Sequence, residues 1–92
     1  MIQEIDLNAN INLEKVIIGT NLGLTSLLLP SSNLLQVIYF GNTNVSTFDA
    51  TNLINLREIH FNNTPINTID FSNCSNLNII SCQNSLLTSL DV

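Results

Sequence analysis

"LREIHFNNTPINTIDF", residues 56–71, holds two short blocks of alternating apolar residues separated by "NNTP". In the first block Leu56, Ile59 and Phe61 are apolar. In the second, Ile66, Ile69 and Phe71 are. Residues two apart share one face of an extended strand, so "IHF" and "IDF" each read as strand-like, with Ile59, Phe61, Ile69 and Phe71 on the inner face. The Asn, Thr and Pro between the blocks are turn formers, each able to take or fix a bent backbone. The stretch therefore predicts a strand, a turn and a short extended return segment.

The same phrase recurs along the chain as "LEKVIIGTNLGLTSLLL" (13–29), "LQVIYFGNTNVSTFDA" (35–50) and "LNIISCQNSLLTSLDV" (77–92). The opening "IQEIDL" (2–7) adds one more return block. Return-block apolar residues fall at Ile2, Leu24, Val45, Ile66 and Leu87, at Ile5, Leu27, Phe48, Ile69 and Leu90, and at Leu7, Leu29, Ala50, Phe71 and Val92. The strand-block slots are Leu13, Val16 and Ile18; Leu35, Ile38 and Phe40; Leu56, Ile59 and Phe61; and Leu77, Ile80 and Cys82. Every slot is apolar in a chain only 45% hydrophobic, which chance does not produce. The period is 21 residues, with one extra residue in the first full turn, inside "GTNLG" (19–23). An insertion between the blocks shifts no inward residue to the other face. A fixed period of this length is the signature of a solenoid, in which no turn buries enough apolar surface alone and stacking makes one continuous core.

Composition agrees. At 92 residues the chain has room for one small domain. Charged residues are only 10%, against about 25% in an average globular chain. Sixteen asparagines supply the missing polarity. The net charge is −5, and Lys15 and Arg57 are the only cations, so no basic patch can meet nucleic-acid phosphates or anionic lipid. No apolar run is long enough to span a bilayer, and no secretion signal opens the chain. Two cysteines, Cys74 and Cys82, lie on different sides of the expected coil, so no disulfide is expected.

"LREIHFNNTPI" (56–66), "LQVIYFGNTNV" (35–45) and "LNIISCQNSLL" (77–87) resemble the leucine-rich-repeat signature L-x-x-L-x-L-x-x-N-x-L. "LEKVIIGTNLGL" (13–24) matches with its one-residue insertion. The short period and the "L-D-x" return segment resemble repeats of bacterial surface and secreted proteins of that family. The resemblance implies a right-handed coil, mainly β, with a parallel concave sheet, short extended return segments and little or no α-helix. One position departs from the signature. Its Asn survives only as Asn21, and Thr43, Thr64 and Ser85 replace it elsewhere, each preceded by an Asn. A hydroxyl can make part of the backbone bonding the signature Asn makes in the family. Residues 1–92 thus read as about four turns of one solenoid, a segment of a longer array without caps.

Residues between the strand slots alternate outward. They form the columns Ile17, Tyr39, His60, Ser81 and Lys15, Val37, Glu58, Ile79. The family resemblance implies partner binding on this concave sheet, and the apolar members Ile17, Val37, Tyr39 and Ile79 form a contiguous patch of the kind that marks interfaces. The expected binding face is Ile17, Val37, Tyr39, Glu58, His60, Ile79 and Ser81. These columns vary while the inward columns do not, which favours a binding module over a plain spacer or stalk; a recruiting arm for a catalytic domain outside these residues is the third reading. The expected partner is a protein, with a glycan as the alternative ligand. End-to-end self-association through strand edges is also expected. The family resemblance places the chain outside the cell or on its surface. No catalytic residue is expected: His60 has Glu58 beside it, but no nucleophile is arranged with it. No metal or cofactor is expected either. Asp6, Asp49, Asp70 and Asp91 share a return-side column interrupted by Leu28, and one carboxylate per turn falls short of the roughly six to eight oxygens calcium takes. Their expected work is to satisfy turn backbone groups.

Overall fold

Val16, Ile38, Ile59 and Ile80 stand one above another, each the paired residue of the next. That column organises the computed structural model, which describes residues 2–30 and 33–87. Four three-residue strands carry it: β2 (Lys15–Ile17), β4 (Val37–Tyr39), β5 (Glu58–His60) and β6 (Ile79–Ser81). They form one parallel sheet in the order β2-β4-β5-β6. On the return side β1 (Glu4–Asp6) pairs in parallel with β3 (Ser26–Leu28). The chain is a parallel-strand β-solenoid of about four turns, without helix among the described residues.

Register follows from the inward residues. A slip of one residue would turn Ile38 or Ile59 to solvent and bring Tyr39 or His60 inside. Burial of a large aliphatic side chain is worth about 1.5–3 kcal/mol, so the slip is costly in every turn at once. Leu35, Ile38, Phe40, Leu56, Ile59 and Phe61 are fully buried. Phe40 stacks on Phe48 across the coil at 5.0 Å between centroids and meets Phe61 of the next turn at 5.9 Å. The outer turns are less enclosed, and Leu13, Ile18, Leu77, Ile80 and Cys82 are half-buried. Ile2, expected inside, is 57% exposed, because among the described residues no turn stacks on its outer side. Leu90, Asp91 and Val92 lie outside the described residues. Both cysteines are free thiols.

The insertion is absorbed as expected. Asn21 bridges Thr43, Leu24 N–H donates to Asn21 O, and Leu24 is fully buried while Leu22 points out. Two features go beyond the sequence pattern. Between return segment and strand the chain takes two successive three-residue turns, Leu53 N–H to Ala50 O and Leu56 N–H to Leu53 O, repeated as Cys74 to Phe71 and Leu77 to Cys74. Leu53 and Cys74 are thereby buried as a further inward column. The two sides of the coil also differ. After Asn44 N–H donates to Leu24 O at 2.8 Å, no backbone hydrogen bond ties residues 46–50 to either adjoining turn among the described residues. A crevice of about 220 Å³ opens there, lined by Leu27, Leu29, Phe48 and Leu53. The return side is thus bonded between its first two segments, through β1 and β3, and unbonded at the third.

The turn after each strand shows how the departure from the signature is accommodated. Thr43 Oγ1 donates to Phe40 O at 2.9 Å and Thr64 Oγ1 to Phe61 O at 2.8 Å, so the buried hydroxyls bond the backbone at the strand end. The preceding asparagines take left-handed backbone conformations, with φ of 56° at Asn42, 58° at Asn63 and 59° at Asn84. Asn tolerates this region better than other residues with a Cβ. Their side chains form a ladder: Asn63 Nδ2 donates to Asn42 Oδ1 at 3.0 Å and Asn84 Nδ2 to Asn63 Oδ1 at 2.9 Å. Gly41 precedes this ladder because a Cβ there would lie 3.0 Å from the carbonyl oxygen of Asn62. Two substitutions at Asn63 separate the backbone and ladder contributions. Asn63→Gly loses only the ladder and should cost about 1 kcal/mol in chemical denaturation. Asn63→Ala also strains the left-handed backbone and should cost about 1–2 kcal/mol more.

Candidate functional site

Strands β2, β4, β5 and β6 present both expected outward columns on one face. Pairing places Lys15 beside Val37, Val37 beside Glu58 and Glu58 beside Ile79. The same pairing places Ile17 beside Tyr39, Tyr39 beside His60 and His60 beside Ser81. All seven residues expected on the binding face are therefore neighbours. Ile17 is 63% exposed and Ile79 is 44% exposed, while Val37, Tyr39, Glu58, His60 and Ser81 are half-buried against one another.

The middle of the face is a cluster of three. The Tyr39 and His60 rings stack with centroids 4.0 Å apart and planes 11° from parallel. Stacking is natural here, since strand spacing of about 4.7–4.9 Å brings paired planar side chains nearly into contact. Glu58 Oε1 accepts from both rings, from His60 Nε2 at 3.0 Å and from Tyr39 Oη at 3.3 Å. A carboxylate only accepts, so His60 must carry a proton on Nε2. The His60 bond holds the Glu58 carboxyl below the usual carboxylate range, against the opposing effect of burial. Burial and the neighbouring Glu58 charge push the Tyr39 phenol up. Glu58 Oε2 has no hydrogen-bond partner among the described residues. Ser81 Oγ donates to Asn62 Oδ1 at 2.9 Å, an oxygen that also accepts from Gln83 N–H at 2.7 Å. The sequence pattern placed these residues on one face; it did not show that Glu58 binds both rings with one oxygen.

The return side carries the acidic column. Asp6, Asp49 and Asp70 each accept at Oδ1 from the backbone N–H two residues on, at 2.9, 3.0 and 2.8 Å. These carboxylates satisfy turn backbone groups, as expected; Asp91 lies outside the described residues. Three or more possible metal-ligating side chains do not converge among the described residues. No helix of the described residues is long and apolar enough to cross a membrane.

Comparison with protein-family models, with curated proteins and with solved structures returned no match.

The carboxylates give the fold a signed pH dependence. Bonds from the Thr51 and Ser72 groups hold the Asp49 and Asp70 carboxyls below their ordinary values, and Glu58 is lowered in the same sense. A carboxyl with a lowered folded-state pKa contributes stability above its unfolded value and loses it as pH falls through the folded one. The melting temperature should hold near neutrality and fall as pH drops below about 4, the ordinary carboxylate range. Asp49→Asn with Asp70→Asn should flatten that acid limb, because the amide oxygen can still accept and does not titrate. Thermal melts from pH 7 to pH 2.5, on the order of the range over which carboxylates titrate, check this.

Proposed function

We propose that this chain is a leucine-rich-repeat binding module that docks a protein partner, without catalysis, on the face of its four-stranded sheet. The observation that carries the reading is the contiguous outward patch in which exposed Ile17 and Ile79 flank the Tyr39–His60–Glu58 cluster. A tyrosine held rigid by stacking and hydrogen bonding, with apolar side chains around it, has the character of an interface anchor. The leucine-rich-repeat assignment rests on the L-x-x-L-x-L spacing, with solenoid stacking and a parallel sheet in support. The same resemblance supports a cell-surface or secreted setting.

Two further observations favour a non-catalytic binding role. The outward columns change from turn to turn while the inward column is Val or Ile throughout, so the face is individual where a spacer would repeat. Ser81 donates to Asn62 rather than to His60, so the histidine does not activate the hydroxyl paired with it across the sheet. A nucleophile needs a base within hydrogen-bond reach.

Partner capture by the intact protein, compared with Tyr39→Ala/His60→Ala and with a return-side control, Thr47→Ala/Asn52→Ala, tests the reading. Losing two central anchors should weaken binding by about 100-fold, equivalent to roughly 2–3 kcal/mol, while the control should bind as the parent does. Equal capture by all three proteins removes the sheet face as the docking site.

A further inference from the structure

The stacked rings at the centre of the sheet face end abruptly. Tyr39 covers one face of the His60 ring at 4.0 Å. The other face looks along the sheet toward Ser81, the residue paired with His60 on β6. Serine is too short to continue the stack, and its hydroxyl is turned to Asn62 Oδ1. The register thus sets a short side chain next to the ring, with Glu58 and Ile79 paired on the neighbouring column, and this step down from His60 to Ser81 is a notch. Glu58 uses only Oε1 for Tyr39 and His60, which leaves Oε2 as an acceptor without a partner among the described residues.

We propose that the notch takes an arginine side chain from a basic segment of the docked protein, its guanidinium stacked on His60 and paired with Glu58 Oε2. This deepens the reading of the sheet face as a docking surface and rests on it. A planar cation suits both the ring and the carboxylate. Guanidinium stacks on ring faces and offers several N–H donors in one plane, whereas an ammonium is a compact, strongly hydrated charge that cannot stack. The carboxylate is held ionised by its bond from His60, so it meets a cation as an anion. The whole-chain charge of −5 with only two cations attracts a basic partner at long range and repels an acidic one. Among the described residues Lys15 on β2 is the one cation in the two outward columns, separated from Glu58 by Val37, and no ion pair ties exposed Arg57 to Glu58. Exposed Ile79 gives the aliphatic stem of the arginine an apolar surface.

The probe is the peptide acetyl-Ala-Ala-Arg-Ala-Ala-amide, titrated into the intact protein while the His60 ring protons are followed by NMR. Counterpart peptides replace arginine by citrulline, which keeps the shape without the charge, and by lysine, which keeps the charge without the plane. Saturable His60 shifts should appear with the arginine peptide, and both counterparts should bind at least about fivefold more weakly. Glu58→Gln and Ser81→Leu, which remove the acceptor charge and fill the notch, should each weaken the arginine peptide by about fivefold or more. Asp70→Asn, which changes net charge by the same amount on the return side, should leave it within about twofold. Equal binding of the three peptides, equal losses in Glu58→Gln and Asp70→Asn, or no saturable shift at roughly 20 mM peptide (weaker than any single ion pair worth counting) would overturn the proposal. Those outcomes leave the docking face itself standing, because its own test is capture by the intact protein with Tyr39→Ala/His60→Ala.

Discussion

In-register stacking of like on like is the constraint on which the rest of the structure depends. Val16, Ile38, Ile59 and Ile80 are paired residue to residue through one parallel sheet. None of the strands exceeds three residues, so none could persist alone. Each is held by a neighbour on the sheet and by the inward side chains above and below it. The most buried residues accordingly lie in the middle turns, where Phe40 and Phe61 have neighbours on both sides. Stability of this kind approximates a sum over turns and their interfaces, with the outer turns weakest. The half-burial of Leu13 and Ile80 is the structural expression of that rule.

Stacking also explains how a chain so poor in charge satisfies its polar groups. A side chain at a given place in one turn meets its equivalent, or that residue's neighbour, in the next. Asparagine suits this because it donates and accepts with one short side chain. Asn42, Asn63 and Asn84 bond one another in a ladder, while Asn55 Nδ2 donates to Asn33 O at 2.7 Å and Asn73 Nδ2 to Thr51 O at 3.1 Å. Asn44 donates in the same way to Leu22 O. The abundance of asparagine is thus a consequence of the period.

Much of this was legible in the residues. The 21-residue phrase specified the inward slots, the parallel sheet and the face that carries Tyr39 and His60, because strand alternation and a fixed period together decide which residues point inward and which stack on which. Less legible was what depends on neighbouring turns in three dimensions. The Leu53 and Cys74 column escaped notice because the equivalent sequence positions of the earlier repeats are Asn10 and Ser32, so the pattern is not apolar throughout. The left-handed asparagines stand one residue before the signature position, and only backbone angles reveal that they, rather than Thr43 and Thr64, form the ladder. Nothing in "VSTFDA" distinguishes it from "INTIDF" or "LTSLLL" as a strand. Its lack of backbone bonds to either adjoining turn depends on how neighbouring turns are spaced, a property of the stack and not of the segment.

Residue-resolved amide hydrogen exchange directly measures this contrast between the four-stranded sheet and residues 46–50. Ile18, Phe40 and Phe61 donate to Tyr39 O, His60 O and Ser81 O at 2.8, 2.9 and 2.8 Å. Their amides should be among the slowest to exchange, with Phe40 and Phe61 near the limit set by global unfolding. The amides of residues 46–50 should exchange faster by at least roughly 100-fold under the same conditions. Comparable protection at residues 46–50, or rapid exchange at Phe40 and Phe61, would contradict a solenoid bonded throughout its four-stranded sheet and unbonded at the return segment of its third turn.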